Sequence, residues 1–474
     1  MTVVLYNTLT RTKTELAPAS PGVVRMFVCG PTVYDYSHVG HAKTYTQFDL
    51  LARYLRKRGF DVTYAQNITD VDDKIIRRAT ETGVEPRELA ERFERAYQED
   101  MATLHNTSVD IVARAHDYIG QIVEQVQALV DRGHAYRLDD GWYFDLSTFP
   151  EYGKLSGRTV ARAEDSVARI DENTDKRNPG DFALWKARKE GEPFWDTPLG
   201  PGRPGWHIED TAITEALFGP QYDLHGGAVD LIFPHHEAEI AQMEAASGKQ
   251  PLAEHWVHTG LLRVDGAKMA KSSGNYLTIR DALAVNDFRT LRYAFLSQHY
   301  RSSMELNATT LDQAKASRRR VENFARLIDP GTVETPEAVE ATERARRAIF
   351  ERLDDDLDTP SALAALFDYI RQHNRTGVTP GASAAALLAD VNDLFDAFDL
   401  ERHTIDEAEV DQLLAERRAL RAARDFARAD GIRADLKARG IVIEDTAEGT
   451  RWWLETGSAE RSALPAVPGS SFSA

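Results

Sequence analysis

The chain of 474 residues contains one cysteine, Cys29, which excludes an intramolecular disulfide. It also lacks any apolar run that approaches the roughly 20 residues of a membrane-spanning helix. Its first residues do not follow the charged, apolar and small-residue order of a signal peptide. We therefore expect a cytoplasmic protein without a membrane partner.

Positive charge is also scarce. The chain has 57 Lys and Arg residues against 75 Asp and Glu residues, which gives a net charge of −18. This excess argues against indiscriminate nucleic-acid binding, so a nucleic-acid partner would need a localised basic face. Because single hydrophobic cores stop growing well below this chain length, we expect about two to four domains.

The stretch 205–239 has polar residues at positions where a buried segment usually has apolar residues. A proline before His235 suggests a helix start, which would place His235 and Glu239 on one helical face. Such a pair alone is more often a helix-start histidine with a surface glutamate. Here it is flanked by His225 with two glycines and by Trp206 with two carboxylates, so candidate metal ligands and a cavity wall occur together. The stretch predicts half of an active site.

The N-terminal part predicts an anion site. Residues 24–29 form an apolar run typical of a buried strand, and residues 30–34 form the loop at its carboxyl end, where parallel sheets bind ligands. His38 and His41 precede a predicted helix over 42–57, and imidazoles beside free helical N–H groups suit a triphosphate. Two nearby histidines are often coincidental, but this setting favours a functional pair.

A second strand is predicted at 61–66, and the segment 67–76 follows it. Alternating β and α elements predict a parallel sheet. Within the segment Thr69 is the better ligand candidate. Asp72 and Asp73 are explained at least as well by a helix N-terminus, which carboxylates stabilise.

The rest of the chain divides by periodicity. The pattern is helical over 86–132, and short strand-like pieces over 141–189 indicate an insertion between two halves of the sheet. Further helices are predicted over 311–350 and 360–398, the second interrupted by a Pro- and Gly-rich segment, and they indicate a helical domain.

A glycine-rich loop over 265–275 follows strand-like residues 255–264. It contains Lys268 and Lys271, and two lysines among hydroxyls and glycines suit a loop that closes on phosphate. Exposed loop lysines are common, so a plain surface role stays open at this point.

The C-terminal part reverses the charge of the chain. Residues 411–440 contain eight Lys and Arg residues and five Asp and Glu residues. This segment could be a solvated helix, but Trp452 and Trp453 follow in short strands, a mixture expected where unstacked bases contact protein. From residue 457 the composition predicts a disordered tail.

Taken together, the motifs resemble those of cysteinyl-tRNA synthetases, a family of class I aminoacyl-tRNA synthetases. The matching segments read CGPTVYDYSHVGH, NITDVDDKII, GRPGWHIE, HGG-x-x-DLIFPHHE, KMAKS and LDDDLDTPSALAALF. The chain departs from the family pattern at Val39 and Ala270 within two signature motifs. A third departure is Asp210, which occupies a position where the family usually has cysteine.

The resemblance implies an α/β fold with a Rossmann-type parallel-sheet catalytic core. It assigns 1–115 and 201–310 to the two halves of the core and 116–200 to a connective insertion. An α-helical stem-contact domain over 311–402 and a small mixed α/β anticodon-binding domain over 403–456 follow, before the tail 457–474.

The resemblance also implies the chemistry. The enzyme would activate L-cysteine with ATP and Mg²⁺ and would transfer the cysteinyl group to tRNA(Cys). It is expected to be a monomer. The implied catalytic residues are His38, His41, Lys268 and Lys271. The implied ATP-binding residues add Gly30, Gly40, Gly226, Gly227 and Asp230. The implied cysteine-binding residues are Cys29, Gly30, Thr69, Trp206 and His235. One zinc ion is implied, with the ligands Cys29, Asp210, His235 and Glu239.

Two other functions are consistent with parts of the sequence. One is a ligase that joins cysteine to a small amine, but such enzymes lack an anticodon-binding end. The other is a noncatalytic RNA-binding paralogue, against which the four intact catalytic positions argue. Cysteine-dependent pyrophosphate exchange and tRNA charging would separate all three.

Overall fold

The computed structural model describes residues 2–158, 175–264, 266–268, 276–400, 407–438, 441–446 and 449–454. The predicted disordered tail, most of the loop 265–275 and Lys271 lie outside these residues.

The strands are β1 (Val4–Asn7), β2 (Thr12–Glu15), β3 (Val23–Val28), β4 (Asp61–Ile68), β5 (Ile111–Arg114), β6 (Ala135–Leu138), β7 (Gly141–Phe144), β8 (Phe182–Ala187), β9 (Gly202–Pro204), β10 (Tyr222–Ala228), β11 (Ala253–Thr259), β12 (Leu262–Val264), β13 (Ala267–Lys268), β14 (Met304–Leu306), β15 (Ile441–Thr446) and β16 (Gly449–Leu454). The α-helices span Val39–Lys57, Asp73–Thr82, Pro86–Thr103, Ile119–Asp131, Ile208–Phe218, Glu237–Ser247, Ile279–Val285, Phe288–Leu296, Ala308–Leu327, Pro336–Asp354, Thr359–Thr376, Ala382–Phe395, Glu407–Ala422 and Phe426–Ala438.

A five-stranded parallel sheet in the order β11-β10-β3-β4-β5 forms the centre of the fold. Alternate residues of β3 pack on opposite faces: Met26 belongs to the same core as Phe48 of the helix Val39–Lys57, whereas Phe27 packs with Ile213 and Ile240. Because both faces are covered, the strand is apolar at nearly every position. The predicted α/β fold with a parallel sheet is confirmed.

The edge strand β5 was not predicted. Sequence periodicity indicates continuous helix over 86–132, but the helix Pro86–Thr103 ends and β5 pairs with β4 before the next helix begins at Ile119. Four residues give too short a pattern to distinguish a strand from a helical turn, so the pairing with β4 decides the conformation.

The α-helix that follows β10 begins later than the sequence suggests. β10 ends at Ala228, so the apolar run 229–233 forms irregular turns, and the next α-helix begins at Glu237 instead of at Pro234. Two glycines lie inside the strand because a Cβ on Gly226 would be 2.4 Å from the Phe48 ring, and one on Gly227 would be 2.7 Å from the His236 ring.

Between β5 and β10 the chain forms a second sheet, which we call the insertion sheet. It is antiparallel, in the order β6-β7-β8-β9. Its core includes Phe144, Phe182 and Leu184, and it is shared with the helices Ile119–Asp131 and Ile208–Phe218. The insertion sheet therefore packs against helices and not directly against the central sheet within the described residues.

The helical region joins the core through the acidic motif LDDDLD. Asp354 accepts hydrogen bonds from Tyr54 at 2.6 Å and Arg58 at 2.9 Å, at the C-terminal end of the helix Val39–Lys57. Asp356 is fully buried and accepts hydrogen bonds from the backbone N–H of Tyr6 and from the Tyr300 hydroxyl. This motif is a junction between two regions and not a solvated charge run.

Two helices and the β15–β16 hairpin form the C-terminal unit. Its buried core consists of Val410, Leu414, Leu436, Ile441 and Ile443. Arg417 is buried and makes two hydrogen bonds of 2.8 Å to Asp445, so part of the local positive charge is used inside the fold. This pairing lowers the Asp445 pKa.

None of the described helices combines the length and the apolar composition that crossing a membrane requires.

Candidate active site

Four side chains from separate segments meet in one buried group, which we call the Cys29 cluster: Cys29, Asp210, His235 and Glu239. The Nε2 atom of His235 lies 3.5 Å from the Cys29 sulfur, 3.1 Å from Asp210 Oδ2 and 3.0 Å from Glu239 Oε1. Cys29 follows β3, whereas Asp210 and Glu239 lie in the first turns of two helices that pack on the Phe27 face of the central sheet. The fold thus brings together the four residues predicted as metal ligands.

The Cys29 cluster has an excess of acidic groups. Burial raises the pKa of the Cys29 thiol, and the neighbouring Asp210 and Glu239 carboxylates raise it further. Burial alone would lower the pKa of His235, but the carboxylates facing it outweigh burial and raise this pKa to about 9. One imidazole faces two carboxylates and a thiol, and buried charge of this kind needs a compensating cation.

Two buried polar atoms support a cation at this place. Glu239 Oε1 and His225 Nε2 have no hydrogen-bond partner of adequate geometry among the described residues. His225 Nε2 lies 3.4 Å from the other Glu239 oxygen. Sulfur, nitrogen and carboxylate oxygen donors within a few ångströms of one another match the ligand chemistry of zinc.

Asn67 fixes the geometry of the cluster. Its side-chain amide accepts a hydrogen bond of 2.6 Å from the Gly30 N–H and donates one of 2.5 Å to Asp210 Oδ1. A Cβ on Gly30 would lie 1.8 Å from the Asn67 carbonyl oxygen, so only glycine permits this approach. Next to it Thr69, predicted as a cysteine-binding residue, is buried and donates to Glu209.

A set of buried histidines surrounds the Cys29 cluster. His207 Nδ1 lies 2.8 Å from His235 Nδ1, and His236 Nδ1 lies 2.8 Å from His258 Nε2. Burial lowers the pKa of His207, His236 and His258, so these rings are neutral. A neutral imidazole holds its partner in one orientation, and His207 thereby directs the Nε2 atom of His235 towards the cluster.

A cavity of about 640 Å³ opens above the cluster. Cys29 and Trp206 line it at one end, and the Trp206 ring stacks on the His235 ring with centroids 4.4 Å apart. Of the predicted nucleotide-binding residues, Gly30, His38, Gly40, His41 and Asp230 also line this cavity. Gly226 and Gly227 are buried in β10, and their packing against Phe48 and His236 explains them without a nucleotide.

His38 and His41, which we call the histidine pair, lie at the start of the helix Val39–Lys57. His38 Nδ1 caps the helix by accepting hydrogen bonds from the N–H groups of Gly40 at 3.0 Å and His41 at 3.2 Å. The two rings stack with centroids 3.8 Å apart. Burial lowers the pKa of His41, so a neutral ring and a helix N-terminus face the cavity.

Below the histidine pair lies Lys43, which is the one fully buried lysine among the residues that the structure describes. Lys43 is fully buried, and its ammonium donates hydrogen bonds to the Gly260 carbonyl at 2.7 Å and to Gln47 Oε1 at 3.0 Å. Burial lowers its pKa to about 7. Gly260 lines the cavity and precedes β12, which pairs with the strand β13 that contains Lys268. Lys43 therefore connects the helix of the histidine pair to this pair of strands.

The two predicted loop lysines are only partly covered by the structure. The backbone of Lys268 lies in β13, which pairs with β12. Lys271 lies outside the described residues. Their catalytic role remains a prediction.

The sequence did not single out several residues of the site. Lys43 has no motif spacing of its own, and Asn67 and Lys74 belong to a matched segment in which neither was assigned a role. The buried histidines did leave a signal, because six of the 14 histidines of the chain lie between residues 207 and 258. Such local enrichment indicates a functional cluster even before the partners are known.

The structure is consistent with the interpretation of Asp72 and Asp73 as carboxylates of a helix N-terminus. Asp72 caps the helix Asp73–Thr82 by accepting a hydrogen bond of 2.8 Å from the Lys74 N–H. Asp73 pairs with Lys186 and Arg203 of the insertion sheet, and although burial alone would raise the pKa of Asp73, the two cations lower it to about 2. Both carboxylates therefore have structural partners.

Comparison with known proteins agrees with this geometry. Residues 15–316 match the family described as tRNA synthetases class I (C) catalytic domain, residues 349–399 match the DALR domain, and residues 407–452 match the Cysteinyl-tRNA ligase anticodon binding domain. Among solved structures, methionyl-tRNA synthetase of Mycobacterium tuberculosis in complex with methionyl-adenylate has a TM-score of 0.56 at 17% identity, covering 80% of this chain and 88% of that chain. This likeness concerns the fold alone.

Sequence relatives extend over almost the whole chain. A cysteine–tRNA ligase of Halorhodospira halophila is 45% identical over 461 residues, which are 94% of this chain and 98% of that protein. Another, from Thermoplasma acidophilum, is 43% identical over 455 residues, which are 94% of this chain and 99% of that protein. With identity at this level from end to end, the chain belongs to the cysteine–tRNA ligase family of class I aminoacyl-tRNA synthetases.

Proposed function

We propose that the protein uses ATP with Mg²⁺ to activate L-cysteine as cysteinyl-adenylate and transfers the cysteinyl group to the terminal ribose of tRNA(Cys). The observation that carries this proposal is the placement of the Cys29 cluster and the histidine pair along one cavity. One end suits a thiol and the other suits phosphate. The family assignment agrees with both.

At the thiol end we propose one zinc ion with the ligands Cys29, Asp210, His235 and Glu239. When bound, such an ion supplies a positive charge that favours the thiolate of cysteine over the hydroxyl of serine. The chain shields the ion from solvent, because the side chains of all four proposed ligands are buried. Asn67 and His207 hold Asp210 and His235 in place. Trp206 and Thr69 complete the proposed cysteine site.

At the phosphate end the reaction needs positioning and positive charge. The α-carboxylate oxygen of cysteine attacks the α-phosphorus of ATP, and the bond to the bridging oxygen breaks as pyrophosphate leaves. We assign the stabilisation of the negative charge on these phosphates to His38, His41, Lys268 and Lys271. We assign Gly30, Gly40 and Asp230, which line the cavity, to the nucleotide site, whereas Gly226 and Gly227 are buried in β10 and support it only through packing.

We assign the regions of the chain to successive tasks. The catalytic core comprises 1–115 and 201–310, with the connective insertion 116–200 between them. The stem-contact domain 311–402 and the anticodon-binding domain 403–456 would bind tRNA. We further propose a cytoplasmic monomer.

Two assays test the proposal on the purified full-length protein. Exchange of radioactive pyrophosphate into ATP should depend on cysteine and not on serine, and total tRNA should become charged with cysteine. Exchange without charging would favour a ligase with a small amine acceptor. Absence of exchange would leave only the noncatalytic RNA-binding paralogue.

Removal of residues 403–474 separates the two steps. Activation should continue in the shortened protein, since the Cys29 cluster and the histidine pair lie before the cut. Charging of tRNA should fall, and its salt dependence should become less steep because fewer phosphate contacts release counterions. Equal loss of both activities would show that the C-terminal unit is needed for the core to fold.

A further inference from the structure

Lys74 lines the cavity between its two ends and has no role in the reaction described so far. It lies in the first turn of the helix Asp73–Thr82. Its ammonium nitrogen is 5.8 Å from the ring centroid of Tyr34 and 5.7 Å from that of Trp206. Two aromatic rings therefore hold this cation by their π faces.

The position of the Lys74 helix is set by its neighbours in the sequence. Asp72 caps the helix at the Lys74 N–H, and Asp73 pairs with Lys186 and Arg203 of the insertion sheet. Both adjacent carboxylates are thus engaged elsewhere. No carboxylate within the described part of the chain forms an ion pair with the Lys74 ammonium.

Lys74 is close to both ends of the site. Trp206, which contacts its ammonium, stacks on His235 of the Cys29 cluster. The charge of Lys74 contributes, after burial and His38, to the lowered pKa of His41. A cysteine whose thiol lies at the cluster and an ATP whose phosphates lie at the histidine pair would bring the reacting carboxylate and α-phosphate together between these ends.

We propose that Lys74 is a further catalytic residue, whose ammonium binds the α-carboxylate of cysteine and then the α-phosphate oxygens as the adenylate forms. This assignment rests on the proposed function. In this step the carboxylate oxygen forms a bond to phosphorus, and the electron pair of the broken bond leaves with pyrophosphate. Lys74 keeps its protons and supplies only charge, which stabilises the transition state more than the separate substrates.

The test compares Lys74→Met and Lys74→Arg with the wild-type protein in cysteine-dependent pyrophosphate exchange. Lys74→Met should lower kcat by about a hundredfold, with a smaller change in the KM for ATP. Lys74→Arg should restore part of kcat, since it keeps the charge. Lys249→Met, a matched change at an exposed turn, should behave as the wild type. Zinc content and melting temperature should be equal in all four proteins.

A second measurement separates activation from transfer. Cysteinyl-adenylate formed beforehand on each protein is mixed with tRNA, and the rate of cysteinyl transfer is followed in a single turnover. Transfer by Lys74→Met should fall by less than exchange does, because the bond between the cysteine carboxylate and phosphorus is already formed, and only the charge that AMP takes up as it leaves still needs stabilisation. Unchanged exchange, or a defect confined to transfer, would overturn the assignment and place Lys74 at the tRNA terminus. A wild-type protein without exchange would overturn the proposed function and this assignment with it.

Discussion

The two ends of the cavity lie above different buried ionisable groups. Beneath Trp206 the Cys29 cluster places two carboxylates around one histidine. Beneath the histidine pair the core contains Lys43, whose hydrogen-bond acceptors are neutral. A cation is favoured at the first end by the two carboxylates, and an anion is favoured at the second end by the N-terminus of the helix Val39–Lys57 and, below about pH 7, by the charge of Lys43. The cavity is therefore polarised along the direction in which cysteine and ATP would lie.

The largest expected effect is a loss of exchange activity caused by a change at the phosphate end alone. Lys271→Ala should reduce the rate of cysteine-dependent exchange by about two to four powers of ten, the scale for losing one positioned charge donor. Zinc content should not change, since the Cys29 cluster contains no part of this loop. Lys249→Ala is the control. Exchange at the wild-type rate in Lys271→Ala would remove this lysine from the catalytic set.

A smaller effect is expected at the thiol end. Asn67→Ala removes the amide that holds Asp210, and such supporting partners typically change metal affinity by about 10–100-fold. Zinc affinity can be measured by competition with a chromogenic chelator, alongside the KM values for cysteine and ATP. Zinc affinity and the KM for cysteine should change more than the KM for ATP, which the lost hydrogen bond to the Gly30 N–H affects only indirectly. The half-buried Asn323→Ala, in the helix Ala308–Leu327, provides a control, and an unaltered zinc affinity would show that Asp210 needs no support from Asn67.

Asp210→Cys should strengthen the thiol end. A thiolate in place of a carboxylate is a softer ligand, so we expect zinc to bind about tenfold more tightly while selection of cysteine over serine is kept. The measurement is the same chelator competition, with metal analysis of protein purified without chelator. The wild type should contain one zinc per chain. Full activity without stoichiometric zinc would refute the metal assignment at this end.

The smallest effect on activity concerns Lys43, and it appears in stability. The lysine has an ordinary pKa of 10.5, and burial lowers it to about 7 in the folded protein. Between these values the unfolded state binds more protons, so the contribution of Lys43 to the free energy of unfolding should rise with pH, by up to about 1.4 kcal/mol per pH unit. The contribution should be least favourable below pH 7.

The measurement is urea unfolding of the wild type and Lys43→Met at several pH values between about 7 and 10. The difference between the two proteins should change with pH in the stated direction. Lys249→Met, whose lysine is exposed, should show no such dependence. A constant difference between wild type and Lys43→Met would mean that Lys43 stays charged in the folded state.

The polarity of the cavity was only partly predictable from the sequence. His235 and Glu239 could be paired by helical spacing, but Cys29 and Asp210 lie far away along the chain, and only the resemblance joined them. The role of Asn67 could not be identified, since its place in the matched segment NITDVDDKII does not show which groups its side-chain amide contacts. The strand β5 is too short to be distinguished from the helices around it.

Lys43 shows what closer attention to periodicity would have found. It lies four residues before Gln47 and seven before Leu50, on the face of the helix Val39–Lys57 that packs into the core. A lysine on a buried helical face is unusual enough to indicate a special environment. Its acceptors, the Gly260 carbonyl among them, come from distant segments and could not be inferred from spacing.

The acidic junction at Asp354 has a mechanical consequence. It grips the helix Val39–Lys57 at Tyr54 and Arg58, and this helix of 19 residues is about 28 Å long, with the histidine pair at its other end. The helix is therefore held at its C-terminal end by the helical region, and its N-terminal end carries the histidine pair. If tRNA displaces that region, a tilt of a few degrees at Asp354 would move His38 by an ångström or more, so the fold offers a direct linkage between tRNA docking and the geometry at the phosphates.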